Sequence, residues 1–157
     1  MSVITQHEIL LPGIHEMNLE EIGRRFGNIP RSSCRLRLFE NLKEYAKRLQ
    51  TFQIGIALIV NGSFIMPCVE NPADIDVILV MPENWEHPVE IIPPEQYNLL
   101  SSARVGAEFA GIHLFVVAEN SPEYHNWISF FSDIKDDWHF MFNIPHNVSK
   151  GLIRVTL

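Results

Sequence analysis

Three short apolar runs rich in β-branched residues constrain the fold of this 157-residue chain more than any other feature. The runs span residues 54–60, 75–80 and 112–117. Each is bounded by Gly, Asn or Pro, and each is shorter than the about ten residues of a typical core helix. The sequence therefore predicts three core strands. A half-exposed strand is predicted at the C-terminus, where Ile153, Val155 and Leu157 alternate with polar residues.

A long amphipathic helix is predicted over residues 32–50, because apolar residues recur there at steps of three or four with basic residues between them. A short helix is predicted to begin after Asn18, which has a Glu three residues later as in a capping box, and to end near Gly27 and Pro30. The segment L-P-G-I-H near the start of the chain is interpreted as a turn.

Two more helices are predicted in the second half of the chain. Ser121 followed by Pro122 is typical of a helix start, and Trp127 and Phe131 supply an apolar face. Residues 94–107 are predicted to form the other helix. The proline-rich stretch over residues 82–94 contains too many large apolar side chains for a free linker, so we expect an ordered excursion.

These elements alternate irregularly in a chain of 18.1 kDa, which is an ordinary size for one domain. The sequence therefore predicts a single domain over residues 1–157 with an α+β fold, in which helices pack on a small mixed β-sheet. With 46% apolar and 20% charged residues, the chain is too hydrophobic to be disordered. Cys34 and Cys68 lack a CxxC partner and are expected to be reduced thiols.

The charge of the chain restricts its partners. A net charge of −7 and a pI near 5.4 argue against a broad surface for nucleic-acid phosphates, such as a DNA-binding face. The longest apolar stretch is far shorter than the about 20 residues that cross a bilayer, so no membrane span is predicted. The first residues show no basic region followed by a long apolar one, which predicts a cytoplasmic location.

Two aspartates at the start of the second run are the strongest chemical signal. Side chains two residues apart in a strand face the same way, so Asp74 and Asp76 share a face. Two carboxylates at the end of an apolar strand repel one another and lose hydration, which costs several kcal/mol in order of magnitude unless a cation or donors compensate. Oxygen ligands at this spacing suit Mg²⁺ or Mn²⁺.

Gly62 and Ser63 directly follow the first run. A glycine permits close approach of the backbone to a ligand, and a hydroxyl with exposed N–H groups can hold a phosphate. The alternative for each pair alone is structural: Gly62–Ser63 as a turn and Asp74 as an ordinary carboxylate at a loop end. Together, each against a strand, the two pairs favour a site in which phosphate lies beside metal.

The order of these features resembles the signature of the DNA polymerase beta-like nucleotidyltransferase superfamily. That signature is an apolar strand, Gly-Ser, a gap of about ten residues, and Asp-hydrophobic-Asp-hydrophobic. Further segments resemble a family of short bacterial nucleotidyltransferase-like proteins, and the resemblance covers nearly the whole chain. The segments are L-P-G-I-H-E-M, R-R-F-G-N-I-P-R, N-G-S-F, E-N-P-A-D-I-D and K-G-L-I-R-V-T-L.

The resemblance implies a minimal nucleotidyltransferase fold. In it, Gly62 and Ser63 contact the triphosphate, and Asp74 and Asp76 bind two Mg²⁺ or Mn²⁺ ions. The implied reaction is attack of an acceptor hydroxyl on the α-phosphorus of a nucleoside triphosphate, with release of pyrophosphate. The acceptor would be a protein, a tRNA or a small molecule. Short members of the superfamily often belong to toxin–antitoxin or defence modules, so by analogy a partner protein is a plausible target.

One position departs from the superfamily pattern, which usually places a third acidic residue on a neighbouring strand. The corresponding strand, G-I-H-L-F-V-V, carries His113 at that position. His113 is therefore the third candidate catalytic and metal-binding residue, with a hydrogen-bonded core histidine as the alternative. Neutral imidazole suits Mn²⁺ or Zn²⁺ better than Mg²⁺ and supplies no negative charge. Glu108, just before the strand, is a less favoured candidate that is more simply explained as a solvated residue.

The remaining clusters are given structural interpretations. The arginines are interpreted as a solvated helix face, with contact to phosphates as the less favoured alternative; they are Arg24, Arg25, Arg31, Arg35 and Arg37. The C-terminal aromatic residues are interpreted as core or a protein interface; they are Trp127, Phe130, Phe131, Trp138, Phe140 and Phe142. The other histidines show no zinc-site spacing. Neither G-x-S-x-G nor a P-loop motif is present, which argues against serine-hydrolase and P-loop chemistry.

Two functions remain from the sequence. The first is a metal-dependent nucleotidyltransferase. The second is a degenerate nucleotidyltransferase that binds a nucleotide or a partner without turnover, which the histidine in place of a carboxylate favours. A metal-free interaction protein that uses the aromatic C-terminal third is a further alternative.

Overall fold

A computed structural model describes residues 9–86 and 93–157 of the chain. The described strands are β1 (Ile14–Glu16), β2 (Ala57–Asn61), β3 (Ile75–Met81), β4 (Ile112–Ala118) and β5 (Leu152–Thr156). The described α-helices are α1 (Leu19–Ile22), α2 (Arg35–Phe52), α3 (Pro94–Asn98), α4 (Ser102–Glu108), α5 (Pro122–Ser132) and α6 (Asp136–Met141). A π-helical turn (Gly23–Gly27) continues α1, and a short 3₁₀ helix (Ser63–Ile65) follows β2.

The five strands form one sheet in the order β1-β5-β2-β3-β4. β2 runs antiparallel to both of its neighbours, whereas β1 pairs with β5 and β3 pairs with β4 in parallel. The predicted α+β class and the mixed sheet are thus confirmed. In the described part of the chain, no helix combines the length and the apolar character that a membrane crossing requires.

The centre of the sheet is the most deeply buried part of the molecule. All five residues of β2 are buried, and in β3 every residue is buried except Asp76, which is half-buried. Helix α2 adds its apolar face to the same core, with Leu38, Leu42 and Leu49 fully buried. The two strands that carry the predicted site motifs are therefore fixed by packing on nearly all of their length.

Helix α2 begins three residues later than predicted. The Ser32 hydroxyl accepts a hydrogen bond from the Arg35 amide at 3.2 Å, and the Ser33 amide donates to the Asn71 side chain at 3.1 Å. Residues 32–34 therefore bond to the loop before β3 and cap the helix instead of forming its first turn. The helix ends where Gln53 adopts the left-handed conformation, with φ of 55°.

The prediction of one helix over residues 94–107 is wrong. Two helices, α3 and α4, occupy this stretch, and Ser101 separates them by accepting a hydrogen bond from the Arg104 amide. Such a side-chain cap begins a new helix because it satisfies a free amide at its start. The prediction that Ser121 starts α5 is confirmed, because its hydroxyl accepts from the Tyr124 amide at 3.1 Å.

Other sequence-based boundaries were incomplete. Only the first residues of the segment L-P-G-I-H form the predicted turn, since Gly13 has φ of 111° and β1 begins at Ile14. Helix α6 was not predicted. In the proline-rich excursion predicted over residues 82–94, residues 87–92 lie outside the described part of the chain.

Candidate functional site

The sheet places two of the predicted site residues, Asp76 and His113, in one row with Asn61. Asn61 on β2 lies opposite Asp76 on β3, and Asp76 lies opposite His113 on β4. Residues opposite one another on neighbouring strands face the same side of the sheet, so these three side chains share a face. Asp74 lies two residues before Asp76, directly ahead of β3. The register thus brings the predicted carboxylates and the histidine to the same end of the sheet.

Gly62 makes the turn that follows β2, with φ of +83°. A Cβ built on this residue would overlap Asp76 Oδ2 and lie 3.2 Å from Asp76 Cγ. Only glycine adopts such a conformation at low cost and also leaves space for the carboxylate. The Gly-Ser turn and the Asp76 side chain are therefore in direct contact, as the spacing of the two motifs led us to expect.

Four of the predicted residues line one cavity with a volume of about 310 Å³: Gly62, Ser63, Asp74 and Asp76. The opposite wall is formed by the end of α5, the start of α6 and the loop between them, and Lys150 completes it. A cavity of this size is at the lower limit of small-molecule sites. It is the place where the described structure brings carboxylates, a Gly-Ser turn and a buried lysine together.

Burial and the neighbouring carboxylate both perturb the ionisation of Asp76. Burial raises the pKa of Asp76 above its usual value, and the negative charge of Asp74 raises it further. The hydrogen bond from His113 and the positive charge of Lys150 act in the opposite direction. Asp76 therefore lies in a place that disfavours its charged form, as expected for a carboxylate positioned for a cation or another ligand.

His113 is hydrogen-bonded but is not a core residue. Its Nδ1 lies 3.0 Å from Asp76 Oδ1, and 55% of its side-chain surface is exposed. The core-histidine alternative is therefore wrong, because β4 is the edge strand of the sheet and leaves this side chain open to solvent. The ring contacts Phe115 with a centroid separation of 4.7 Å. His113 fixes one oxygen of Asp76 from outside the cavity wall.

The oxygen donors of the site fit a hard divalent cation. Within residues 9–86 and 93–157, no three His, Cys, Asp or Glu side chains come together as a possible metal site. Mg²⁺, however, is commonly held by one or two carboxylates together with substrate phosphates. Asp74 and Asp76 meet that requirement. Asn61 adds a buried Oδ1 without a hydrogen-bond partner in the described structure, on the same face as Asp76.

The arginine cluster is not a uniformly solvated face, and the exception bears on the site. Arg35 is completely buried, although the sequence predicted an exposed helix face. Its guanidinium donates to five backbone carbonyl groups; these belong to Phe26, Ser63, Phe64, Met66 and Val69. Four of the five lie in the segment that begins at Ser63. Arg35 thus holds the loop that carries the Gly-Ser turn, and burial lowers its pKa to about 10.

Glu108 is not part of the site. Its carboxylate pairs with Arg48 at 3.1 Å, and both side chains are about half exposed, at 48% and 45%. The solvated alternative for Glu108 is confirmed. Among the other histidines, His139 is buried with Nδ1 3.1 Å from the Ile144 carbonyl oxygen, in agreement with a structural role. His7 and His87 lie outside the described residues.

Residues 3–156 match a protein family described as a family of unknown function, DUF6932. The chain belongs to this family. No curated protein matches the chain, and no solved structure matches it. Since the match covers almost all of the chain, the cavity and every residue around it lie inside the family region.

The sequence patterns did not identify several residues that line the site. Lys135 and Lys150 both line the cavity, but neither forms a motif with the aspartates, from which they lie about 60 and 75 residues away along the chain. Phe130 and Trp138 also line it, although they were assigned to core or interface. The K-G pair before the last strand belongs to the segment K-G-L-I-R-V-T-L of the resemblance, which implies no site role for it. Tertiary contact alone gives these residues their place.

The aromatic residues divide into two groups. Phe131 is buried and stacks with Trp127 at a centroid separation of 5.7 Å, which confirms the core interpretation for this pair. Phe140 is 89% exposed, so the core interpretation is wrong for this residue. Helix α6 is short, and this side chain points away from the protein.

Four other concavities of the described structure have larger volumes than this cavity, and two of them exceed it clearly but are chemically poorer. One, of about 500 Å³, lies between β1, α1 and the end of β5, and the other, of about 530 Å³, lies between the π-helical turn and α2. Each has acidic or basic residues on its rim, yet neither combines paired carboxylates with a buried cation. The cavity at Asp74 and Asp76 is therefore the best candidate functional site.

Proposed function

We propose that this chain binds a nucleoside triphosphate in the cavity at Asp74 and Asp76 and transfers its nucleoside monophosphate to a hydroxyl acceptor. The observation that carries the proposal is the shared cavity of these carboxylates with Gly62 and Ser63. Motifs separated by about ten residues meet there through β2 and β3 pairing.

The chain's residues would have distinct parts in the reaction. Asp74 and Asp76 would hold a Mg²⁺ or Mn²⁺ ion, whose bound form neutralises phosphate charge and lowers the pKa of the acceptor hydroxyl. Gly62 and Ser63 would contact the triphosphate, and His113 would orient Asp76 through the bond at 3.0 Å. The acceptor oxygen bonds to the α-phosphorus as the bond to the β-phosphate breaks. Pyrophosphate leaves, and the hydroxyl proton passes to water.

The acceptor is proposed as a class only: a hydroxyl on a protein, a tRNA or a small molecule. A role in a toxin–antitoxin or defence module follows only by analogy with the superfamily that the sequence resembles. Because nucleoside triphosphates are abundant inside cells, the proposal also implies a cytoplasmic location. The net charge of −7 favours a compact acceptor over a long nucleic-acid duplex.

One experiment tests the transfer reaction. The protein is incubated with Mn²⁺, each labelled nucleoside triphosphate and a host-cell extract, and pyrophosphate release and labelled acceptors are measured. We expect activity in the wild type and its loss in the double variant Asp74→Asn, Asp76→Asn. Asp137→Asn, which removes an exposed carboxylate from α6, is the matched control and should keep activity. Equal signals from the wild type and the double variant would exclude the proposed mechanism.

A second function, nucleotide or partner binding without turnover, is favoured by one observation. His113 lies where the superfamily pattern places a carboxylate, and it is bonded to Asp76. Calorimetry with nucleotide and Mg²⁺ or Mn²⁺ distinguishes the two functions: binding without product in the wild type supports the binding protein. Turnover gained in His113→Asp would show that a third carboxylate is all that this site lacks.

A further inference from the structure

Lys150 is the least expected residue of the candidate site. It lines the cavity together with Asp74 and Asp76, yet only 6% of its surface is exposed. A lysine with so little exposure is rare, because its ammonium group loses most of its hydration. The energetic cost of burying such a charge is normally offset by a nearby anion or by several hydrogen-bond acceptors.

Within the described residues, Lys150 has no such compensation at close range. No carboxylate lies within the 4.0 Å of an ion pair with its Nζ, and no hydrogen bond of its side chain is formed. The charge of Asp76 acts on it from a greater distance, and Lys135 repels it. The side chain is therefore buried beside the cavity, and its ammonium group forms no direct hydrogen bond or ion pair within the described structure.

The backbone holds Lys150 in this place. Its amide donates to the Ser132 carbonyl at 2.9 Å, at the end of α5, and the Gly151 amide donates to the Leu10 carbonyl at 2.9 Å. A Cβ on Gly151 would overlap the Leu11 carbonyl oxygen and lie 2.8 Å from His15 Nε2. The chain around Lys150 is thus tightly packed on both sides. Its position is a feature of the fold and not of a loose loop.

The chemistry of the cavity indicates which ligand would pair with this cation. Gly62 and Ser63, which the proposed function assigns to phosphate, line the same cavity as Lys150. An anion that also brings a divalent cation to Asp74 and Asp76 would satisfy both groups of charges at once. A polyphosphate with its metal ion has this property, whereas a monocarboxylate offers too few oxygens to reach both.

We propose that Lys150 is a phosphate-binding residue, whose ammonium group contacts the polyphosphate of the nucleotide while Asp74 and Asp76 face its metal ion. This inference rests on the proposed function and adds to it a residue that recognises the triphosphate. It also identifies the substrate feature for which the cavity is selective, which is the number of phosphates. Affinity should increase from nucleoside to monophosphate, diphosphate and triphosphate because each added phosphate brings charge closer to Lys150.

Calorimetry with inorganic tripolyphosphate and Mg²⁺ tests the proposal without knowledge of the base. The same measurement is made with ATP, GTP, CTP and UTP, and with the mono- and diphosphates of whichever base binds. Lys150→Met removes the charge and keeps the volume of the side chain. Lys47→Met is the matched control, because Lys47 is an exposed lysine of α2 that does not line the cavity. Thermal unfolding of each variant is recorded alongside.

We expect Lys150→Met to lose about tenfold to a hundredfold in affinity for tripolyphosphate, as for the loss of a hydrogen bond to a charged group. Lys47→Met should change affinity by less than about threefold, as for an exposed charge far from the ligand. The loss in Lys150→Met should be largest for triphosphates and smallest for monophosphates. A merely structural lysine would reduce all affinities alike, and that result would overturn the proposal.

The remaining outcomes separate this inference from the proposed function. If the wild type binds triphosphates and Lys150→Met binds them equally, the role of Lys150 is excluded and the proposed function stands. If the wild type binds neither tripolyphosphate nor any nucleoside triphosphate, both are excluded. If Lys150→Met does not fold, Lys150→Gln replaces it, and the same dependence on phosphate number decides between the outcomes.

Discussion

The carboxylate of Asp76 occupies the space that a side chain at residue 62 would fill. A Cβ on Gly62 would overlap Asp76 Oδ2, and the backbone of Gly62 has φ of +83°. The turn after β2 and the polar end of β3 are thus fitted to one another. The contact joins the two halves of the motif found in the sequence.

Gly62→Ala should therefore damage the site and the fold together. The strain of φ at +83° and the overlap with Asp76 should lower the free energy of unfolding by about 1–3 kcal/mol. Urea denaturation measures this change. Gly106→Ala is the control, because a Cβ there meets only the Ile112 carbonyl oxygen at 3.6 Å, inside α4. It should be neutral or stabilising, and an equal loss in both variants would contradict the contact.

Asp76→Asn should increase the stability of the protein without ligand. Burial and the charge of Asp74 both raise the pKa of Asp76, so the folded state disfavours its ionised form. An amide removes that charge and still accepts the hydrogen bond from His113. We expect a gain of about 0.5–2 kcal/mol in the free energy of unfolding at neutral pH. The exposed Asp137→Asn should show no gain, and a clear loss in Asp76→Asn would refute this electrostatic account.

The raised pKa of Asp76 also predicts that the stability of the protein depends on pH in the acid range. Because the folded state of Asp76 holds its proton at a pH where the unfolded state has released it, stability falls as pH rises from the usual aspartate range through the raised pKa. In Asp76→Asn this contribution is absent. Denaturation curves of the two proteins, measured between acid and neutral pH, should therefore diverge as pH increases. Parallel curves would show that Asp76 titrates normally.

The lowered pKa of Lys150 predicts that stability changes with pH in the alkaline range, in the opposite direction to the effect of Asp76. Burial lowers its pKa to about 8, so between about pH 8 and 10 the unfolded chain binds the proton that the folded chain has released. This contribution makes stability rise with pH in that window. The difference in unfolding free energy between Lys150→Met and the wild type should thus shrink as pH increases from 8 to 10. A constant difference would show that Lys150 keeps an ordinary pKa.

Arg35→Met should be one of the most destabilising changes outside the apolar core. It leaves four buried carbonyl groups without their donor, and we expect a loss of about 3 kcal/mol or more. Because three of these groups lie in the segment after Ser63, nucleotide affinity should fall as well. Arg37→Met, on the exposed face of the same helix, should change stability by less than about 0.5 kcal/mol. Equal effects would contradict the anchoring role.

Much of the fold was predictable because it depends on local patterns. The β-branched runs became β2, β3 and β4, and the amphipathic segment became α2. Ser121 capped α5 as predicted. The errors occurred where a single hydrogen bond decides a boundary. Ser101 divides the helix predicted over residues 94–107, and Ser32 delays the start of α2, since either hydroxyl can also be accommodated inside a helical pattern.

The sequence by itself determined the strands, the main helix and the pairing of Gly62 and Ser63 with Asp74 and Asp76. The reason is that the period of the apolar residues and the spacing of the two motifs are local properties of the chain. The sequence could not determine the burial of Arg35 and Lys150. Whether a cation lies in solvent or beneath a loop depends on which distant backbone groups surround it. That choice is made only when β5, α5 and the loop after β2 pack together. The tertiary structure therefore decided which charges belong to the cavity.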